Sequence, residues 1–235
     1  MLRKILAAVL TCAILAFTAQ ATNKVVAAAH KTTHTIVLRD ALGYQPIKCS
    51  ATAVGPHALL TASHCERPVD ELTIDGKDAA ILGHTRDNKD HTVYFVDATF
   101  VTWSAFADTL PDVADRVFIF GNPGANKDDY REGYISHIED EDLLIDLNGY
   151  PGDSGSALFD TEGKICGIIS TVIVQETPYK EDGSSQVQIK FMGAVKLAFT
   201  AAQKIAFASW KIGDAIPTTV RPKVSLSSLF FNLSN

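Results

Sequence analysis

The sequence predicts an all-β protein of the barrel or sandwich type, and three observations support this. Short β-prone runs recur about every 8–12 residues through the middle of the chain. Gly, Pro, Asn and Asp lie between the runs, which is typical of tight turns. Only one segment, near the C-terminus, has clear helical periodicity. We therefore expect an antiparallel β architecture followed by a single late helix.

The predicted strands are rich in β-branched, aromatic and other apolar residues. They cover residues 34–39, 50–54, 57–62, 71–74, 79–82, 92–96, 116–120, 134–138, 142–147, 156–159 and 164–174. The segment 103–115 interrupts this pattern and contains Pro111. Because proline is a poor fit to a central strand, we place the boundary between two β subdomains in this segment.

The predicted helix covers residues 195–210, which are rich in alanine. Its spacing places Val195, Phe199 and Ala202 on one face. The remaining residues, 211–235, are rich in Ser, Pro and Thr and have no clear period. We expect them to form a loose tail.

The N-terminus has the layout of a secretory signal peptide. Arg3 and Lys4 precede an apolar run at 5–17, and an Ala-Gln-Ala sequence ends at Ala21. The alternative is an uncleaved membrane anchor, but spanning a bilayer takes about 20 apolar residues. We predict removal of residues 1–21, a secreted or periplasmic mature chain, and no membrane association after cleavage.

The charge of the chain argues against nucleic acid as a partner. The net charge is −6, and loss of two basic residues with the signal peptide would make it −8. Phosphate backbones are bound by clusters of Lys and Arg, and the sequence has no such cluster. The seven histidines are scattered without a metal-ligand spacing, so we predict neither a metal site nor a cofactor.

The sequence Gly-Tyr-Pro-Gly-Asp-Ser-Gly-Ser at 149–156 is the first candidate for chemistry. It places Ser154 in a glycine-rich turn before an apolar strand, where a substrate backbone can approach closely. The amides of Gly152 and Ser154 would then form an oxyanion hole. The alternative is an ordinary β-turn, for which this composition is equally suitable.

A histidine segment provides the second candidate. Leu-Leu-Thr-Ala-Ser-His-Cys at 59–65 is an apolar strand that ends in small residues and His64. A serine hydroxyl is a poor nucleophile near neutral pH and needs an adjacent base, usually histidine. Alone, His64 reads as an ordinary surface or core residue, but together with Ser154 it is a candidate general base.

Three aspartates between these segments could orient the histidine. Asp90 begins a predicted strand, where a carboxylate is rigidly aimed. Asp87 lies in a polar turn that suggests a solvated side chain, and Asp97 ends the same strand and would point elsewhere. We favour Asp90, with Asp87 as the main rival.

These segments together resemble the trypsin-like serine peptidases. Their histidine segment is commonly Leu-Thr-Ala-Ala-His-Cys, their serine segment is Gly-Asp-Ser-Gly, and their order is that of His64, Asp90 and Ser154. The sequences at 117–124 and 133–136 are similar to the HtrA-type and related bacterial or viral branch. The resemblance implies two antiparallel six-stranded β-barrels with a C-terminal helix and an active site in the cleft between the barrels.

The resemblance also implies the domain organisation. A single peptidase domain would cover 22–210, with an N-terminal barrel at about 33–108 and a C-terminal barrel at about 112–210. Only a short stretch follows the helix, so we expect no PDZ module in this sequence, and we expect a monomer.

The cysteines fit the same family. Cys12 lies in the signal peptide, and the three that remain cannot all pair within the chain. We favour a Cys49–Cys65 disulfide, whose spacing matches the bridge that brackets the histidine in many secreted members. Cys166 would then be a free buried thiol. A thiolate metal site is disfavoured because no pair has C-x-x-C spacing.

The resemblance suggests which residues contact a substrate. Asn148 matches the floor of the specificity pocket, and because it is not acidic we expect no strong preference for Arg or Lys. Ser170 belongs to the strand that hydrogen-bonds an extended substrate. Thr171 and Val172 follow it, and Val172 would narrow the pocket toward small or medium neutral side chains. The alternative is that loop differences invalidate this alignment.

The sequence departs from the animal members at the activation site. It contains no Ile-Val-Gly-Gly terminus, so Asp153 lacks the amino-terminal partner that it has in those enzymes. We nevertheless predict a secreted serine endopeptidase that acts on polypeptide substrates. The alternatives are a catalytically inactive, peptidase-like binding protein and an esterase, although the esterase elbow G-x-S-x-G is missing.

Overall fold

We describe the protein from a computed structural model. The structure describes residues 23–40, 46–66, 69–124, 126–140, 142–176 and 188–217. The predicted signal peptide and most of the predicted tail lie outside these ranges. No helix among the described residues is long and apolar enough to span a bilayer.

The first half of the chain forms a helix and a seven-stranded antiparallel sheet. Helix α1 covers residues 23–30. The strands are β1 (Thr33–Asp40), β2 (Ile47–Gly55), β3 (Ala58–Ala62), β4 (Val69–Ile74), β5 (Lys77–Ala79), β6 (Ile81–Arg86) and β7 (His91–Val96). Their order across the sheet is β5-β4-β1-β2-β3-β7-β6. All six residues of β7 are buried, which accounts for its β-branched and aromatic composition.

The second half forms a closed six-stranded barrel. Its strands are β8 (Arg116–Gly121), β9 (Asp129–Glu139), β10 (Asp142–Ile145), β11 (Ala157–Phe159), β12 (Ile165–Glu176) and β13 (Gln188–Val195). Their order around the barrel is β10-β13-β12-β11-β8-β9, and each neighbouring pair is antiparallel.

The predicted all-β fold class is confirmed, and the C-terminal barrel has the six strands that the resemblance implied. The N-terminal sheet has seven strands among the described residues. The run predicted at 79–82 is divided at Ala80 between β5 and β6, and the three-residue β5 lies at the edge of the sheet.

Helix α2 (Ala201–Ser209) begins later than the predicted residue 195. Val195 is still paired with Ile168 inside the barrel, so it cannot begin a helix. Thr200 caps the helix instead: its hydroxyl accepts the amide of Gln203, and the Gln203 side chain accepts the amide of Thr200.

Helix α2 covers one end of the N-terminal sheet. Phe207 is fully buried, and the rings of Phe207 and Trp210 lie 5.9 and 4.8 Å from the ring of Phe95. Burial of such a side chain contributes about 1.5–3 kcal/mol. A Cβ atom at Gly55 in β2 would lie 2.0 Å from the Phe207 carbonyl oxygen, so only glycine permits this approach of helix to strand.

Helix α1 contacts both halves of the molecule. Ala29 is buried in the core, and the ring of His30 stacks on Phe120 of β8 at 4.7 Å. Val25 lies against Gly163 in the turn between β11 and β12. The sequence analysis assigned no structure to this segment, and these contacts make it part of the fold.

Candidate active site

His64 lies in one turn of 3₁₀-helix, Ser63–Cys65, directly after β3. Cys65 is disulfide-bonded to Cys49 in β2, as favoured from the sequence, with their Cα atoms 6.3 Å apart. The bridge fastens the chain beside His64 to the neighbouring strand. Cys166 is free and buried, and burial raises the pKa of its thiol.

Asp90 contacts His64 through both carboxylate oxygens. Oδ2 lies 2.6 Å from Nδ1 of the ring, and Oδ1 accepts the His64 amide at 2.8 Å. Because a carboxylate only accepts hydrogen bonds, Nδ1 carries the proton and Nε2 keeps its lone pair in the neutral ring. The amide of Ser63 also donates to the Asp90 carbonyl at 3.1 Å, so the two segments are joined through main chain and side chain.

The environment of Asp90 stabilises its charged form. Partial burial raises the pKa of the carboxyl, but hydrogen bonds from His64, attraction to the His64 ring and the Ser170 hydroxyl lower it. The net result is a pKa below the usual value for aspartate. Ser170, on the C-terminal barrel, is thus one of the groups that favour the charged form of Asp90.

The other two candidate aspartates, Asp87 and Asp97, bind groups other than His64. The Asp87 side chain is buried and pairs with His91 at 2.6 Å, so the interpretation of a solvated turn residue was wrong. Backbone hydrogen bonds fold this turn inward, which the polar sequence does not reveal. Asp97 accepts the amide of Ala80 at 2.8 Å. Of the three aspartates, Asp90 is the one that contacts His64.

The turn that carries Ser154 is packed onto the N-terminal sheet. The Ser154 carbonyl accepts the amide of Ser50 in β2 at 2.8 Å. Gly155 has φ of +83°, and a Cβ atom there would lie 2.1 Å from the Ser50 carbonyl and 3.1 Å from the Ala62 amide. Glycine at 155 thus brings Ser154 against the end of β3, two residues before His64.

Hydrogen bonds fix the orientation of two peptide groups beside Ser154. The Pro151 carbonyl accepts the Gly124 amide at 2.9 Å, and the Asp153 carbonyl accepts the Ser156 amide at 2.9 Å. The carbonyl and N–H of a trans peptide point in opposite directions. The amides of Gly152 and Ser154 consequently point away from these partners, and within the described residues neither donates a hydrogen bond.

A chain of hydrogen-bonded polar side chains, the relay, leads from the N-terminal sheet to the turn that carries Ser154. The Thr35 hydroxyl donates to Oδ1 of Asn122 at 2.7 Å, and Nδ2 of Asn122 donates to the Ser50 hydroxyl at 2.8 Å. Ser50 in turn donates to the Gly152 carbonyl at 2.9 Å. Sequence reasoning missed Ser50, which lies far from Ser154 in the chain, and it assigned no role to Asn122, although the stretch 117–124 contains it.

Asp153 has a partner within the chain. Its carboxylate is buried and forms a bidentate ion pair with Arg131 of β9, and it also accepts the Tyr150 amide at 2.8 Å. Arg131 additionally donates to the Asn148 carbonyl at 2.8 Å. A guanidinium therefore neutralises the acid that the sequence analysis left without a partner.

The residues predicted to contact substrate lie on two segments beside Ser154. Asn148 is exposed and tied to Arg131 through its carbonyl. Ser170 sits where the β12–β13 register shifts, and Thr171 is exposed beyond it. The Val172 side chain lies outside the described part of the structure. Among the described residues, no group of three or more His, Cys, Asp or Glu side chains is arranged to hold a metal ion.

Comparison with known proteins agrees with the fold. A profile of the trypsin-like peptidase domain matches residues 49–168, slightly more than half of the chain. The fold consists of two antiparallel β structures, one of them a closed barrel. The His64 segment follows β3 of the first, and the Ser154 segment lies between β10 and β11 of the second. The chain belongs to the trypsin-like peptidase domain family.

Solved structures show the same architecture. A serine endoprotease from Yersinia pestis aligns with 22% identity and a TM-score of 0.57, over 74% of this chain and 62% of that one. The Rv3671c protease of M. tuberculosis in its active form aligns with 17% identity and a TM-score of 0.56, over 83% and 88%. At these identities the likeness establishes the fold. No curated protein sequence is similar enough to the chain to count as a match.

Proposed function

We propose that the protein is a serine endopeptidase that uses Ser154, His64 and Asp90. The observation that carries the proposal is the 2.6 Å contact between Nδ1 of His64 and Oδ2 of Asp90. It commits Nδ1 to donation and leaves Nε2 as a base that can accept the Ser154 proton. The packing of Gly155 against the end of β3 supports the nearness of Ser154 that this step needs.

In the proposed acylation, the Ser154 oxygen attacks the scissile carbonyl carbon and a new C–O bond forms. Nε2 of His64 takes the hydroxyl proton, and Asp90 stabilises the resulting imidazolium. Collapse of the tetrahedral intermediate breaks the C–N bond, and His64 returns the proton to the leaving amine. Water then attacks the acyl-enzyme with His64 again as base, and carboxylic acid and free Ser154 are released.

The amides of Gly152 and Ser154 would stabilise the oxyanion of each tetrahedral intermediate. Two oriented N–H groups with no competing acceptor among the described residues suit this role, because they need no reorganisation during the reaction. Loss of one such donor typically costs about 10²–10³-fold in kcat. The Ser50 and Asn122 relay would hold them in place.

The substrate would bind as an extended strand along Ser170 and Thr171. The register shift in β12 at this point interrupts regular pairing with β13, which suits main-chain bonding to a peptide. Asn148 presents no charge at the proposed pocket floor, and the nearby Arg131 is already paired with carboxylates. We propose a preference for neutral side chains at the cleavage site.

A peptide library and a fluorophosphonate probe test this function together. Wild-type protein should cleave unfolded polypeptides and label at one serine, whereas Ser154→Ala should do neither. Ser136→Ala is the matched control, because Ser136 is an exposed hydroxyl on β9 outside the site, and it should behave as wild type. Wild-type protein that binds peptides without labelling would replace the peptidase by an inactive, peptidase-like binding protein.

We also propose that the peptidase domain, 22–210, functions after export as a secreted or periplasmic monomer. The disulfide supports an oxidising compartment, since such bonds rarely persist in the cytosol. The intact mass of the exported protein tests the cleavage site, and a mature chain that begins at residue 22 is expected. Light scattering of that chain tests the monomer.

A further inference from the structure

A second histidine–aspartate pair lies beside Asp90. Nδ1 of His91 is 2.6 Å from Oδ2 of Asp87, the same distance as in the His64–Asp90 pair. The two pairs differ in exposure: the His91 and Asp87 side chains are 0% and 2% exposed, against 43% and 30% for His64 and Asp90. The inner pair therefore cannot reach a substrate.

Both ring nitrogens of the inner histidine lie against acceptors. Nε2 of His91 lies 3.1 Å from the Val195 carbonyl oxygen, and Nδ1 lies against Asp87. The ring therefore fills the space between the Asp87 carboxylate and the end of β13, and each of its two edges has a partner.

The His91 ring joins the two halves of the molecule. Val195 ends β13 of the C-terminal barrel, where it pairs with Ile168, two residues before Ser170. Asp87 also accepts the amide of Ala198, in the segment that leads to α2, at 2.9 Å. The turn at 87–91 is thus attached at two points to the second half of the chain, at the end of β13 and in the segment that follows it.

The same turn carries Asp90. The Asp87 amide donates to the His91 carbonyl at 3.2 Å, and the Lys89 amide donates to Oδ1 of Asp87 at 2.8 Å. These two hydrogen bonds close the turn, and the carboxylate of Asp90 within it contacts His64. We propose that Asp87 and His91 are positioning residues, which set the place of Asp90 and His64 relative to Ser154 on the other barrel.

Few other charges face the pair. Asp90 precedes His91 and is directed to His64, while Arg86 of β6 is paired with Glu66. Lys196 follows Val195 at the end of β13. The ring of Phe199 lies 6.5 Å from His91. Among the described residues, the carboxylate in contact with His91 is that of Asp87, so removal of either partner should loosen the turn and lower kcat.

The inference rests on the proposed function, and kinetics of His91→Gln and Asp87→Asn test it. A glutamine amide does not reproduce the two opposed contacts of the ring, so we expect kcat to fall on the order of 10²-fold, the cost of a small misplacement of catalytic groups. KM should change little, because neither residue contacts the peptide.

His34→Gln is the matched control. His34 pairs with Asp75 at 2.7 Å in the same sheet but away from the turn, so it should retain wild-type kcat. Thermal unfolding of each variant gives its folded fraction. Losses of kcat that equal the unfolded fraction, a rise in KM in place of the fall in kcat, or kcat within twofold of wild type would each overturn the proposal.

A measurement on unmodified protein covers the case in which the variants do not fold. Proton NMR should show downfield imidazole N–H resonances from His64 and His91, together with that of His34, which is also paired with an aspartate. If His91 positions the turn, any change in its signal across a pH series should be accompanied by a shift of the His64 signal at the same pH, and a His64 signal that stays fixed while the His91 signal changes contradicts the proposal. This readout does not need activity. Wild type that neither labels nor cleaves refutes the proposed function instead.

Discussion

The carboxylate of Asp153, one residue before Ser154, is buried against the guanidinium of Arg131. Asp153 is 1% exposed and Arg131 is 15% exposed, so both charges have lost most of their water. The pair is supported by the Tyr150 amide on one side and the Asn148 carbonyl on the other. It anchors the chain that leads into the Ser154 turn.

Replacement of Arg131 by Met should therefore destabilise the protein and reduce turnover. Loss of one partner leaves a buried, uncompensated carboxylate, which costs about 3–5 kcal/mol in the free energy of unfolding. Urea denaturation and kcat measure the two effects. Arg116→Met is the control, because its pair with Glu132 is 43% exposed on both sides and should contribute at most about 1 kcal/mol. Equal losses in the two variants would contradict the prediction.

Ser50→Ala should lower kcat more than it changes KM. The Gly152 carbonyl and Nδ2 of Asn122 both lose their partner, at a cost of about 1–3 kcal/mol in stability, and the peptide between Gly152 and Asp153 loses one of the hydrogen bonds that fix it before Ser154. Steady-state kinetics measure this split. Ser104→Ala removes another buried hydroxyl bond, 2.9 Å to Thr32, away from the site. It should lose stability with kcat unchanged. A Ser50 variant with normal kcat would show that the relay does not position the turn.

Stability should depend on acid pH through Asp90. The pKa of this carboxyl is lowered in the folded state, so folding favours its charged form. The contribution is fully present above the unfolded pKa of about 4 and is lost as pH falls through the lower folded value.

Between pH 5 and pH 2, the free energy of unfolding should therefore fall less in the Asp90→Asn variant than in wild type. The difference should be about that expected for the titration of one carboxylate. Unfolding free energies across this range measure the difference. The pKa of Asp75 is also lowered, so part of the acid dependence remains in the variant. Asp108→Asn, at a side chain 92% exposed, should leave the curve as in wild type. Parallel curves for wild type and Asp90→Asn would refute the prediction.

Removal of the disulfide in Cys49→Ser/Cys65→Ser should cost about 3 kcal/mol, the loop-closure value for a bridge of this sequence separation. Denaturation with and without reductant measures it, since reductant should lower the stability of wild type and leave the variant unchanged. Cys166 supplies the control. Its raised pKa and burial should make it slow to react with thiol reagents in the native state.

The sequence predicted the parts of the molecule that local patterns determine. Turn residues and apolar runs indicated the strands, and the segments around His64 and Ser154 stood out because each combines small residues with one reactive side chain. Asp90 is favoured from the sequence because it directly precedes a strand; it does precede β7, and it lies against His64. The roles of these residues in catalysis remain a proposal.

Contacts between distant segments could not be predicted from one sequence. Arg131 is close to Asp153, and Ser50 is close to Gly152, only after the strands have been arranged in space. Asp87 looked solvated because its neighbours are polar, yet the fold of its turn buries it. Helix α1 was missed because it follows the predicted signal directly and its pattern alone does not show what it packs against.

The packing of α1 has a consequence for the order of events in biosynthesis. Residues 23–30 leave the ribosome before Phe120 and Gly163, the residues that they contact in the folded protein. Thr32 likewise precedes its hydrogen-bond partner Ser104 by 72 residues. Such separations slow folding. We expect this segment to dock last. If the chain is exported as proposed, Cys49 and Cys65 should therefore stay accessible to oxidation until the two halves pack together.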